Sequence, residues 1–66
     1  MSVHKVIEVL ANTGTSWEDA AQQAVADACK TIRNIESVYV KDLSVRVDND
    51  KISEYRLNAK ITFRVD

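Results

Sequence analysis

The sequence predicts an α+β fold, a β-α-β-β chain whose three-stranded antiparallel sheet, of order 1-3-2, wraps one helix. Three observations carry this. Tyr55, Leu57, Ala59, Ile61, Phe63 and Val65 alternate strictly with Glu54, Arg56, Asn58, Lys60, Thr62 and Arg64, the period-two pattern of a half-buried strand. Trp17, Ala21, Ala24, Ala28, Ile32 and Ile35 recur at intervals of three and four, which is the stripe of an amphipathic helix. Between two extended segments stands Asp48-Asn49-Asp50, whose side chains tolerate positive φ and suit a tight hairpin.

The first strand is expected from Ser2 to Leu10. Val3, Ile7 and Val9 fall on one face and His4, Val6, Glu8 and Leu10 on the other. Neither face is purely polar, so both are expected to meet something. Asn12-Thr13-Gly14 ends the strand. A helix start follows, with Thr15 and Glu18, or Ser16 and Asp19, at capping-box spacing. The helix is expected from Trp17 to about Asn34, and its alanines let the axis lie close to a sheet. Acids early (Glu18, Asp19) and bases late (Lys30, Arg33) suit the helix dipole.

The second extended segment follows Glu36, and its alternation breaks. Val38 and Val40 share one phase, while Leu43, Val45 and Val47 share the other. A bulge near Lys41-Asp42 restores a single face. The last strand runs from Ile52 to Val65. At ~3.3 Å per residue it spans roughly 46 Å, whereas a compact domain of this length is only about 28 Å across. The strand outruns its own domain. A helical crossover makes the first two strands parallel and the hairpin makes the third antiparallel to the second, so the third lies in the middle.

A chain of 66 residues forms one domain, 1–66, and buries only about 60% of the surface its unfolded form exposes. Such scaffolds usually need disulfides, a structural metal or partner subunits. Cys29 is the single cysteine and cannot pair within the chain; inside the alanine-rich helix it reads as a small buried apolar residue. One cysteine and one histidine, His4, cannot supply a tetrahedral zinc site. Self-association is left. The net charge of −1 is made of interspersed acids and bases, without the basic stripe of a nucleic-acid binder. No apolar run nears the ~20 residues of a membrane span. A soluble, cytoplasmic protein is expected. No catalytic triad motif, glycine-rich phosphate loop or metal-ligand spacing is present, so no enzymatic activity is expected.

Several stretches together resemble the dodecin family. They are His4-Lys5-Val6-Ile7-Glu8-Val9, Thr15-Ser16, Ala20-Ala21, Lys30 to Ile35, Val38 to Asp42, Glu54-Tyr55-Arg56 and Ile61-Thr62-Phe63. The resemblance covers essentially the whole chain. It implies a non-enzymatic homododecamer of tetrahedral symmetry that stores flavin (riboflavin, FMN or FAD), with a tryptophan after the helix stacking on the flavin ring and a glutamine on the last strand bonding its polar edge. At the equivalent positions this chain has Ser37 and Arg56. Serine offers no π-face, which forfeits a stacking contribution of about 0.5–1.5 kcal/mol. Arginine donates but cannot accept, so it does not reproduce an amide's two-way pairing.

Other candidates are weaker. Tyr39, on the opposite phase from Val38, falls beside the altered site and is a possible ligand contact. Trp17 reads as a core or subunit contact, and Tyr55, on the apolar register, as core. Arg56 reads otherwise as a solvated charge beside Lys60 and Arg64. Asp48 and Asp50 offer hard oxygens for calcium, but without the fuller acidic spacing of a calcium loop. The competing readings are therefore a dodecin-type assembly that binds another small ligand or an ion such as calcium, and a purely structural oligomer.

Overall fold

The computed structural model describes residues 3–65. The elements are β1 (Val3–Thr13), α1 (Trp17–Ala28), β2 (Ile35–Asp48) and β3 (Lys51–Val65), in one antiparallel sheet of order β1-β3-β2. The expected architecture holds, with differences at the element ends. β1 continues three residues past Leu10 because Ala11, Asn12 and Thr13 pair with Leu57, Arg56 and Tyr55. Ser2, the expected first strand residue, lies outside the described residues.

Thr13 shapes the exit from β1. Its hydroxyl accepts from the N–H groups of Thr15 and Ser16 and donates to the Ser16 carbonyl at 3.1 Å. Of the two capping pairs, the structure uses the second: Ser16 is the N-cap, and its Oγ accepts from the Asp19 N–H at 3.0 Å.

The helix ends at Ala28, six residues before the expected Asn34. Asn34 has φ 63°, a left-handed conformation that reverses the chain, and Ile35 is already paired with Phe63 as the first residue of β2. Ile32 and Ile35 therefore continue the helical spacing without belonging to the helix. Cys29 is accordingly exposed, not buried, because it lies past the last turn. Lys30 and Arg33 also fall beyond that turn, which carries no base of its own.

The core is small. Ala20, Ala24, Leu57, Ala59 and Ile61 are buried, and Val9, Ala11, Ala21 and Val38 pack partly against them. Ala20 over Ala59, both fully enclosed, sets a close approach of helix to sheet. Trp17 anchors the first turn. Its ring meets Tyr55 edge to face at 5.2 Å, and its Nε1 donates to the Ser44 carbonyl at 3.1 Å.

β1 and β3 pair without interruption from Val3↔Val65 to Thr13↔Tyr55. β2 and β3 shift register three times, between Ile35 and Ser37, between Val40 and Asp42, and between Arg46 and Val47. The middle shift is the bulge expected near Lys41-Asp42. The last leaves Ser53 as the extra residue on β3, its hydroxyl donating to the Arg46 carbonyl at 3.2 Å. Asn49 and Asp50 close the hairpin with φ of 52° and 63°, the doubly left-handed geometry of a type I′ turn.

The helix, of 12 residues, is about 18 Å long, while the molecule extends 52 × 20 × 13 Å. It packs on β1 and β3 and leaves β2 overhanging. Leu43 is 53% exposed and Val47 62%, with Val40 and Ile52 also open. The accessible surface is 5022 Å², against about 4,200 Å² for a compact monomer of this mass.

The close helix–sheet contact generates a test. Ala59→Leu adds volume where Ala20 permits none, and should destabilise by about 1–3 kcal/mol, read as a lower urea midpoint at unchanged slope.

Candidate functional site

Opposed residues of an antiparallel pair share a face, so the register defines the sheet's two sides. Val9, Val38, Val40, Leu43, Leu57 and Ala59 fall on the helix side. The other side carries the rows Glu8–Lys60–Tyr39, Leu10–Asn58–Asp42 and Asn12–Arg56–Ser44, with Ser37 opposite Thr62 beyond them. All three sequence candidates, Ser37, Tyr39 and Arg56, therefore stand on the one face that the helix does not cover. The bulge at Lys41 is what keeps Ser44 on that face together with Ser37 and Tyr39.

Their spacing along the sheet is large. Thr62, beside Ser37, is six residues from Arg56 on one strand, or about 20 Å. A small ligand cannot touch Ser37 and Arg56 of the same chain. Tyr39, 66% exposed, lies between them.

Around Arg56 the open face is concave. A hollow of about 350 Å³ is lined by Leu10, Asn12, Asp42, Ser44, Arg56 and Asn58, floored by the backbone of Ala11 and Leu57. That size suits a small ligand. Two larger hollows, along the outer face of the helix and beside the loop after it, are open grooves.

Polar groups in and beside the hollow are not self-satisfied. Arg56 Nε lies 3.6 Å from Glu54 Oε2, an ion-pair distance beyond hydrogen-bond reach. Glu54 Oε2 and Asn58 Oδ1 are buried atoms that accept no hydrogen bond. Leaving such an acceptor unpaired costs about 1–3 kcal/mol. Leu10, in the same row as Asn58, is 82% exposed. Arg56 is half exposed, as the solvated reading expected, but it borders this hollow as well.

Asn58, Asp42 and Leu10 were not singled out by sequence. The first two are polar residues on a polar phase. The one legible signal was Leu10, an apolar residue on the face that also carries His4 and Glu8.

The remaining candidates lie elsewhere. Asp48 and Asp50 are at the hairpin tip, remote from the hollow. Among the described residues no group of three or more His, Cys, Asp or Glu side chains could hold a metal ion. His4 is engaged at the opposite end of the sheet, Nε2 to Glu36 Oε1 at 2.8 Å. No helix is long and apolar enough to cross a membrane, among the described residues.

Comparison with known proteins agrees with this architecture. A sequence model of the dodecin family matches residues 3–66. The chain is 34% identical over 65 residues to the calcium dodecin of Mycobacterium tuberculosis, covering 98% of this chain and 92% of that protein. Among solved structures, an arginine-to-alanine variant of Thermus thermophilus dodecin superposes with a TM-score of 0.96 at 27% identity, covering 100% of this chain and 98% of the other. The crystal structure of the M. tuberculosis calcium dodecin, described as a calcium-chelating immunodominant antigen with a novel calcium-binding site, superposes with a TM-score of 0.85 at 35% identity, over 98% and 93% of the two chains.

Proposed function

Because the chain belongs to the dodecin family, we propose that it is a non-enzymatic binding and storage protein that assembles as a homododecamer and holds a small molecule on the open faces of its sheets. One observation carries this reading. Ser37 and Arg56 share a face yet stand about 20 Å apart along it, so a site using both positions takes Ser37 from one copy and Arg56 from another. The uncovered apolar row Val40, Leu43, Val47 and Ile52 supports the same assembly.

Flavin is held weakly in this member. The stacking indole is replaced by the Ser37 hydroxymethyl, and Tyr39 is the only aromatic residue on that face among the described residues. Arg56 offers donors alone. The storage role therefore extends to other small ligands that fit the hollow.

A second reading is favoured by the 34% identity to a protein named calcium dodecin. Calcium takes 6–8 oxygens. Asp48 and Asp50 contribute two carboxylates at the hairpin tip, and no larger acidic group stands near them among the described residues. The residues of one chain do not fit the ion. Calcium would require oxygens from a second copy.

Native mass spectrometry should give about 89 kDa, twelve times the 7.4 kDa chain; a concentration-independent monomer would overturn the assembly. In flavin fluorescence titrations the doubly substituted S37W/R56Q protein should quench riboflavin at lower concentration than the parent, and unchanged affinity would break the correspondence of positions. Calcium titration calorimetry decides the second reading: D48N/D50N should abolish any saturable heat, and parent protein without such heat would remove calcium from consideration.

A further inference from the structure

β1 stops at Thr13, which pairs with Tyr55. Beyond that row the sheet has two strands only, residues 46–48 of β2 against 51–54 of β3. A two-stranded ribbon is marginal in water by itself, and here Val47 and Ile52 are uncovered as well. The arm needs an anchor at its root.

Trp17 stands at that root. Its indole N–H donates to the Ser44 carbonyl at 3.1 Å, on the peptide that leads into Val45. Its ring meets Tyr55, the partner of Val45, edge to face at 5.2 Å. One side chain in the first turn of α1 therefore holds both strands of the arm at the row where the third strand ends. Among the described residues it is the only helix side chain hydrogen-bonded to β2.

We propose that Trp17 is the latch of a movable hairpin arm. With the indole bond made, the arm is fixed to the body of the protein. With it broken, the arm opens about the Val45–Tyr55 row, and the neighbouring row of the open face, Ser44 and Arg56, loses its alignment. The consequence for a small molecule rests on the reading of the open face as a binding surface; the latch itself does not. The chemistry selects an indole, because any aromatic ring can pack against Tyr55 but only an indole carries a donor on its apolar body. Trp17 is 37% exposed, so water competes for the Ser44 carbonyl. One such neutral hydrogen bond shifts an equilibrium by up to about tenfold, enough to bias the arm without locking it.

The chain has a single tryptophan, so it can be replaced throughout by β-(3-benzothienyl)alanine, which keeps the bicyclic shape and has sulfur where the indole has N–H. Trp17→Phe is the second variant. Both are read by backbone hydrogen–deuterium exchange in the assembled protein, after native mass shows the parent's assembly. Amides of the arm, at 45–48 and 51–55, should exchange about tenfold faster in either variant, while β1 amides from Val3 to Glu8 keep the parent rate. Unchanged exchange in the arm would sink the latch. Equal acceleration in both regions would do the same, since loss of an ordinary core residue lowers protection throughout. Dissociation of both variants also counts against it, because the bond would then serve the assembly and not the arm. No ligand enters the measurement: failure of S37W/R56Q to gain flavin affinity breaks the reading of the open face and leaves the exchange result standing.

Discussion

A helix of about 18 Å lies on a molecule 52 Å long, and the rest of the structure follows from that mismatch. The contact between them is close, because alanine meets alanine where Ala20 covers Ala59. Closeness comes at the expense of area: among the described residues only Leu57 and Ile61 are large and fully enclosed. Each Val, Leu or Ile moved from water to a packed interface gains about 1.5–3 kcal/mol. Val40, Leu43, Val47 and Ile52 together therefore represent about 6–12 kcal/mol, an upper bound as large as the whole stability of an ordinary small domain. What one chain leaves uncovered is comparable to what holds it folded.

The bulges turn this long sheet into a surface with two distinct sides. A one-residue slip exchanges the faces of a strand, so the extra residues at Glu36 and Lys41 on β2, and Ser53 on β3, decide which side chains lie under the helix. Without the slip at Lys41, either the Val38–Val40 pair or the Leu43–Val45 pair would turn toward the open face. With it, both stay on the helix side, and Ser37, Tyr39 and Ser44 are aligned on the other.

Sequence patterning revealed the faces well and the shape poorly. Strand order, the hairpin and the Lys41 bulge were legible because apolar residues mark phase, and a phase break has one economical explanation. The slip at Ser53 left a comparable mark, since Ile52 is apolar on the polar phase of β3, but a single residue at a strand start reads as fraying. The helix end was hidden for the opposite reason. Ile32 and Ile35 happen to continue the period of four and three, and only Asn34, a residue tolerant of positive φ, marked the reversal. The hollow was hidden because alternation shows which side a residue faces, never whether that side is concave. Asn58 and Asp42 look like any solvated pair until the register sets them opposite each other with Leu10 in the same row.

The separation of Ser37 from Arg56 gives the open face a further property. If ligand contacts come from two copies, the ligand binds only the assembled state, and binding then stabilises assembly by mass action. The coupling is reciprocal: whatever covers Val40, Leu43 and Val47 also raises ligand affinity. Substitutions far from the hollow, along the overhanging row of β2, therefore change retention of the small molecule through the assembly alone. Polar groups such as Asn58 Oδ1 and Glu54 Oε2, left unpaired in the single chain, add to the same coupling, because their desolvation cost is recovered only when a ligand or a neighbouring copy supplies the donors.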